Sequence, residues 1–395
     1  MKQALKHISI ICFAFFLTNV TNAQTYIPGN IYYDSTGYVE YRAGNIPIII
    51  SAPHGGTLEP LTIPDRLCTG CIYEKDAWTK PIAEGMHTAF FEQTGCYPHV
   101  IINLLHRKKF DANRDIGEAA DGNPTVEQAW FAYHQFIDSA KSKIVNDYGR
   151  GLFLDIHGHG HSIHRIELGY LLSGSELQFT DSTLNTTALI NESSIRGLVA
   201  NNILGSSHSN LLRGPNSFGE LLANVNFSSV PSQTIPFPLI GEPYYDGGYN
   251  TQRHGSRDNN LGIDAIQVEI DSLSRYNSVK RELLIDSLTT ITNNYINLYY
   301  NNQYSANYCN LLSNVEFIEP KNNIKMYPNP VDDIINIETN LNQFEIEIYN
   351  SLGQKLLSTD FTGNEVKVDF LPTGLYLLQI KKDNLILSTM KFIKN

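Results

Sequence analysis

The sequence predicts an α/β domain with a largely parallel sheet, followed by a small all-β unit, and three observations predict it. Between residues 46 and 300, short uninterrupted apolar runs alternate with long stretches whose apolar residues recur at helical spacing. From residue 326 onward the pattern becomes short alternating strands broken by turn residues, with no helical periodicity. The length, 395 residues, is also more than one ordinary domain accounts for.

Taken in order, residues 46–53 (IPIIISAP) read as a buried strand: a continuous β-branched run with no polar face. Residues 76–93 carry Trp78, Ile82, Met86 and Phe90 at four-residue spacing, one face of a helix. Residues 98–105 (PHVIINLL) form a second strand. A long helix is expected from Pro124 to Tyr148, with Asn123 as its cap and proline in its first turn. Its inner face is Trp130, Tyr133, Ile137, Ala140 and Ile144. Residues 151–156 (GLFLDI) and 264–270 (DAIQVEI) complete the apolar strands, and a last helix runs from about Val279 to Tyr300. Sheets of this class bind ligands beyond the carboxyl ends of their strands, which is where the polar motifs fall. Past residue 313 the composition changes. FEIEIYN (344–350), EVKVDF (365–370) and GLYLLQI (374–380) are the strands of a small β-sandwich.

Bulk properties narrow the function. The net charge is −11 and there is no basic run, which speaks against nucleic acid and against an anionic membrane surface. The first 23 residues read as an export signal: Lys2 and Lys6, the apolar run Ile8–Leu17, then Thr21-Asn22-Ala23 before Gln24. The run is too short for a bilayer that needs ~20 residues, so no transmembrane segment is expected. Cys68, Cys71, Cys96 and Cys309 remain in the mature chain, an even count that suggests disulfides in an exported protein. Of the three pairings, a Cys68–Cys71 loop with a Cys96–Cys309 tie is preferred. A zinc knuckle or redox pair is disfavoured, because no second CxxC exists.

Five polar segments carry the candidate chemistry. In SAPHGGTLEP (51–60), His54 and Glu59 lie just past a strand end, with Gly55 and Gly56 allowing a tight bend. Imidazole and carboxylate are the ligands zinc prefers. A turn with a capping histidine is the plainer alternative. In DIHGHGHSIH (155–164), His157 sits at another strand end and is preferred over His159 as a further ligand, with Asp155 two residues earlier on the same strand face as its orienting carboxylate. His161 and His164 read as loop residues. Glu269, in IQVEID, is an ionisable group in an apolar strand, suited to be a general base if it faces the cleft. Arg107, Asp111 and Arg114 cluster in HRKKFDANRD (106–115), where a guanidinium could grip a substrate carboxylate or form a structural bridge. Arg253 or Arg257, in YYDGGYNTQRHGSRD (244–258), could grip a second acidic group.

In this order, SAPHGG, RKKFDANRD, DIHGHG, GGYNTQRHG and AIQVEI resemble the N-formylglutamate amidohydrolase family over roughly residues 45–300. SAPHGGTLEP also resembles a segment of the phage poly-γ-glutamate hydrolases. The resemblance implies a zinc-peptidase-like three-layer α/β/α domain with a mixed, largely parallel sheet, spanning 24–312. It implies Zn²⁺ on His54, Glu59 and His157, Glu269 as the catalytic carboxylate, and Arg114 and Arg253 as contacts to substrate carboxylates. Arg114 is placed with Glu269 in the catalytic set, and Arg107, Asp111 and His159 are read from the motifs as further substrate contacts. The tyrosine that this family carries after its loop histidine is missing, since Gly255 follows His254, and residues 174–243 hold no matching motif. MYPNPVDD (326–333), SLGQ (351–354) and LPTGLYLLQI (371–380) resemble the C-terminal sorting domain of the Bacteroidetes type IX secretion system, after a linker at 313–325. That resemblance implies the type IX machinery as a partner and a secreted or surface location. The expected substrate is a small acidic amide, peptide or polymer. A binding protein that has lost the chemistry, and a zinc esterase or deacetylase acting on polysaccharide, remain open alternatives.

Overall fold

A computed structural model describes residues 26–258, 262–300, 324–339, 341, 343–350, 354–382 and 385–395. The chain divides into two compact units, residues 1–314 and 315–395, and each is described by itself.

The larger unit is organised on an eight-stranded mixed sheet of β1 (Ile31–Tyr33), β2 (Val39–Arg42), β3 (Ile48–Ala52), β4 (His99–Asn103), β5 (Gly151–Gly158), β6 (Ile166–Gly169), β7 (Ser229–Val230) and β8 (Ile263–Ile270). Their spatial order is β1-β2-β4-β3-β5-β8-β6-β7. The four central strands β4, β3, β5 and β8 run parallel, while β2 and β6 flank them antiparallel. The helices are α1 (Thr79–Thr94), α2 (Ile116–Ala120), α3 (Pro124–Tyr148), α4 (Gly174–Leu177), α5 (Asp181–Leu184), α6 (Thr187–Glu192), α7 (Arg196–Asn201), α8 (His208–Arg213), α9 (Phe218–Ala223), α10 (Tyr249–His254), α11 (Ser272–Tyr276) and α12 (Ser278–Tyr299).

Both faces of the central strands are covered, which is why they read as unbroken apolar runs. Ile48, Ile50 and Ala52 of β3 pack with Ile82, Met86 and Phe90 of α1 and Leu284 and Leu288 of α12. Ile49, on the other face, packs with Val126, Tyr133 and Ile137 of α3. The result is the expected three-layer α/β/α arrangement. The Asn123 side chain accepts from the backbone N–H groups of Thr125 and Val126, capping α3 as its sequence foretold.

Four strands were not legible. In β2 (VEYR) the charges are hidden rather than absent: Glu40 is buried and accepts from Arg42 at 2.7 Å. In β6 (IELG) all four residues are buried, the charged Glu167 among them. A strand whose inward positions are charged gives no apolar signal. Residues 174–223 fold into α4–α9, helices of four to six residues, too short to show a period. Ser173, Thr180, Ser207 and Ser217 cap four of them, and Leu177, Leu184, Leu198 and Phe218 enter the same core as α1.

Cys68 and Cys71 form the expected local disulfide. Cys309, expected to pair with Cys96, and the export signal lie outside the described residues. Among the described residues no helix is long and apolar enough to cross a membrane.

The smaller unit has β9 (Lys325–Tyr327), β10 (Ile334–Glu338), β11 (Phe344–Asn350), β12 (Lys355–Phe361), β13 (Glu365–Lys367), β14 (Gly374–Lys382) and β15 (Leu385–Lys394). They form two antiparallel sheets, β13-β10-β9 and β12-β11-β14-β15. Ile335 and Ile337 from one sheet and Ile346, Ile348 and Leu378 from the other share one core, the expected sandwich.

Candidate metal centre

Parallel pairing puts the carboxyl ends of β3 and β5 on the same edge of the sheet, and His54 and His157 stand there. Their rings are 4.8 Å apart between centroids and inclined at 71°. Both Nδ1 atoms lie 3.2 Å from one oxygen, Asp76 Oδ2. Asp76 comes from the loop before α1. Its N–H donates to the His54 carbonyl at 3.0 Å, and the Gly158 N–H donates to its Oδ2 at 3.1 Å, so two strand ends hold it in place.

The outer nitrogens are held as firmly. His54 Nε2 is 2.6 Å from Asp111 Oδ1, and His157 Nε2 is 2.9 Å from Asp155 Oδ2. Asp111 in turn accepts from Arg107 Nε and from the Asn113 N–H, both at 3.0 Å, while Asp155 accepts from the Ser51 hydroxyl. An imidazole whose Nε2–H is taken by a carboxylate presents its Nδ1 lone pair inward, the arrangement of metal-ligating histidines.

Asp76, Asp111, Asp155 and Glu269 are all buried here, with Arg107 and Arg66 facing Asp111 and Arg107 also 3.5 Å from Asp76. The donor set fits a divalent cation held by His54, Asp76 and His157. Burial would lower the His157 pKa, yet Asp155 and Asp76 hold it well above the usual histidine range. Burial would likewise raise the Asp76 carboxyl, but the two imidazoles hold it far below the carboxylate range. Glu269 is pushed up to about 8, first by burial and further by the charges of Asp76 and Glu167.

Glu269 lies opposite His157 in the β5–β8 register, its Oε1 3.9 Å from His157 Nδ1 and accepting from Gln267 Nε2 at 3.0 Å. These groups line a cavity of about 460 Å³ together with Arg107, Arg114, His159, Tyr245 and Arg275.

The structure departs from the expected site in four places. Glu59 does not reach the imidazoles: Leu58 bridges to Leu105, and the Glu59 side chain turns outward, 44 % exposed, to Lys108 at 2.6 Å. Asp76 occupies the position assigned to it. Asp111 is not turned to substrate, since its oxygens are taken by His54, Arg107 and the Asn113 N–H. Arg253 lies over Trp130, 5.3 Å from the ring centroid, and lines a separate cavity with His134 and Asp138. His159 does line the cleft, but its Nε2 is engaged by the Arg165 carbonyl at 2.8 Å. Arg107 and Arg114 line the cleft as expected, each also held by the protein, Arg114 Nε by Glu118 at 3.0 Å.

Asp76 was missed because residues 76–93 read as one helix, whereas the helix opens at Thr79 after a left-handed Trp78 at φ 74° and leaves Asp76 in the loop before it. Tyr245 and Gln267 carried no signal at all.

Comparison with known proteins gives one family match. Residues 325–395 match the secretion system C-terminal sorting domain. This sorting domain is therefore the identified part of the chain. No curated protein matches. Among solved structures, the chain is similar to an N-formylglutamate amidohydrolase from Ralstonia eutropha, at 12 % identity over 65 % of this chain and 95 % of that one, with a TM-score of 0.39. It is also similar to the succinylglutamate desuccinylase from Chromobacterium violaceum, at 10 % identity over 71 % of this chain and 72 % of that one, with a TM-score of 0.29.

Proposed function

We propose that the larger unit is a zinc-dependent amidohydrolase acting outside the cell on an acidic amide: a formyl-amino acid, a γ-glutamyl polymer or a peptide. One observation carries the reading: two carboxylate-backed imidazoles turn their inner nitrogens to Asp76 beside a buried Glu269. Two nitrogens and one oxygen, with space toward the cavity, are the donor set of a catalytic zinc site. When bound, Zn²⁺ supplies Lewis acidity toward the scissile carbonyl and toward the attacking water.

The chain's own residues do the rest. Glu269, buried beside the imidazoles on the wall of the cavity, takes a proton from the attacking water and returns it to the leaving nitrogen. Arg114 and Arg107 line the cavity and hold the negative groups of the substrate, Arg107 from a position fixed by Asp111 and Asp76. The match of residues 325–395 supports export through the type IX machinery and a secreted or surface location.

The test joins metal analysis to an assay panel of formyl-amino acids, γ-glutamyl polymers and peptidoglycan fragments. The expected result is a zinc at His54, Asp76 and His157 that His54→Ala loses, and turnover of an acidic amide that Glu269→Gln abolishes while that zinc is retained. Full activity of Glu269→Gln would overturn the mechanism.

A further inference from the structure

The histidine-rich segment does not end at His157. Past Gly158 the chain carries His159 and His161, and with Glu167 of β6 these bring three further ligand atoms within 4.8 Å of one another. His159 is 2 % exposed and Glu167 is fully buried.

The outer atoms of these side chains are anchored. His159 Nε2 is 2.8 Å from the Arg165 carbonyl, so Nε2 carries the hydrogen and Nδ1 carries the lone pair. That Nδ1 accepts only a long hydrogen bond from the His161 N–H, at 3.2 Å. Glu167 Oε2 accepts from the Tyr245 N–H at 2.8 Å, which leaves Oε1 facing His161 Nδ1 at 2.9 Å. The His161 ring is stacked on Tyr245, with centroids 4.7 Å apart and planes at 20°. Two ligands thus have their far atoms tied to backbone groups, and the third has its ring plane set by stacking. That is how a chain orients first ligands before an ion arrives.

A second observation is independent of the histidines. Glu167 on β6 is the direct cross-strand partner of Glu269 on β8. Two buried carboxyl groups directly opposed in a sheet cannot both carry charge without destabilising it. A cation next to Glu167 lets both ionise.

We propose that His159, His161 and Glu167 form a second binding site for a divalent cation of the zinc class, distinct from the centre at His54 and His157. Two imidazoles and one carboxylate select a borderline transition cation over calcium or magnesium. Occupancy fixes Glu167, and through it the Tyr245 segment, which forms one wall of the cleft.

The experiment strips the full exported chain of metal and titrates it with Zn²⁺, then with Co²⁺, counting bound equivalents by calorimetry and by elemental analysis after desalting. The parent binds two equivalents. His161→Gln and Glu167→Gln, two variants at different ends of the site, each bind one, and His54→Ala keeps the one that they lose. Two equivalents in both His161→Gln and Glu167→Gln would overturn the second site, as would a single equivalent in the parent that both variants retain. A single equivalent kept by His54→Ala and lost by His161→Gln would support this site and overturn the centre proposed above.

Discussion

His54 stands between two carboxylates: its Nε2 is 2.6 Å from Asp111 Oδ1, and its Nδ1 is 3.2 Å from Asp76 Oδ2. The two contacts have different meanings. Asp76 shares its oxygen with His157, whereas Asp111 touches His54 alone of the two imidazoles and is braced by Arg107. Asp111 is therefore expected to orient the ring. In Asp111→Asn, zinc affinity should fall by about 10- to 100-fold, the usual cost of losing an orienting partner. Chelator competition measures it, and unchanged affinity would argue against the arrangement.

Asp76 and Glu59 give a paired test of the ligand set. Asp76→Ala is expected to lose one equivalent of zinc, that of this centre, because it removes the oxygen on which both Nδ1 atoms converge. Glu59→Ala is expected to keep its zinc, because that side chain faces Lys108 in solvent. Elemental analysis of the two purified variants decides it, and the reverse pattern would restore Glu59.

Gly56 follows His54 closely, and the reason for glycine there is close approach. A Cβ at Gly56 would lie 2.5 Å from the Leu104 carbonyl carbon, in a segment whose Thr57 N–H donates to the Leu104 carbonyl at 3.0 Å. Gly56→Ala should cost roughly 1–3 kcal/mol, as overpacking does, and should shift His54 enough to weaken zinc. Denaturant unfolding of the metal-free protein reads the first effect, and a change near zero would refute the steric account.

A buried histidine pair sets an acid limit on stability. His134 Nδ1 and His254 Nε2 are 2.9 Å apart. Burial holds the His254 pKa down to about 4 against the opposing pull of Asp138, and burial with the charges of His254 and Arg253 holds that of His134 down to about 2. Their folded-state pKa values lie below the unfolded value near 6.5, so the unfolded chain binds more protons as pH falls. This contribution is complete above pH ~6.5 and shrinks toward pH ~4. In His254→Gln, the stability deficit against the parent should narrow by roughly 2–3 kcal/mol between pH 7 and pH 4.5. Urea midpoints at the two pH values measure it, and a constant deficit would contradict it.

Much of the larger unit was legible in its sequence because its central strands are covered on both faces. IPIIISAP and GLFLDI have no polar face to hide, and α3 announces itself by Asn123, Pro124 and an apolar stripe. β2 and β6 were silent because Glu40 and Glu167 are buried in them, a cost that only three-dimensional partners offset. The short helices α4–α9 were silent because four to six residues cannot display a period.

The sequence by itself determined the central parallel strands, with His54 just past β3 and His157 and Glu269 near the carboxyl ends of β5 and β8. It could do so because strand ends and burial follow from local pattern. Only the tertiary structure decided which carboxylate joins the two imidazoles. Glu59 is five residues from His54, yet the Leu58–Leu105 bridge turns it to solvent. Asp76 is 22 residues from His54, yet two backbone hydrogen bonds bring it to the centre. Ligand geometry depends on the path of the chain between residues, and that path is set by packing and hydrogen bonds that no local spacing records.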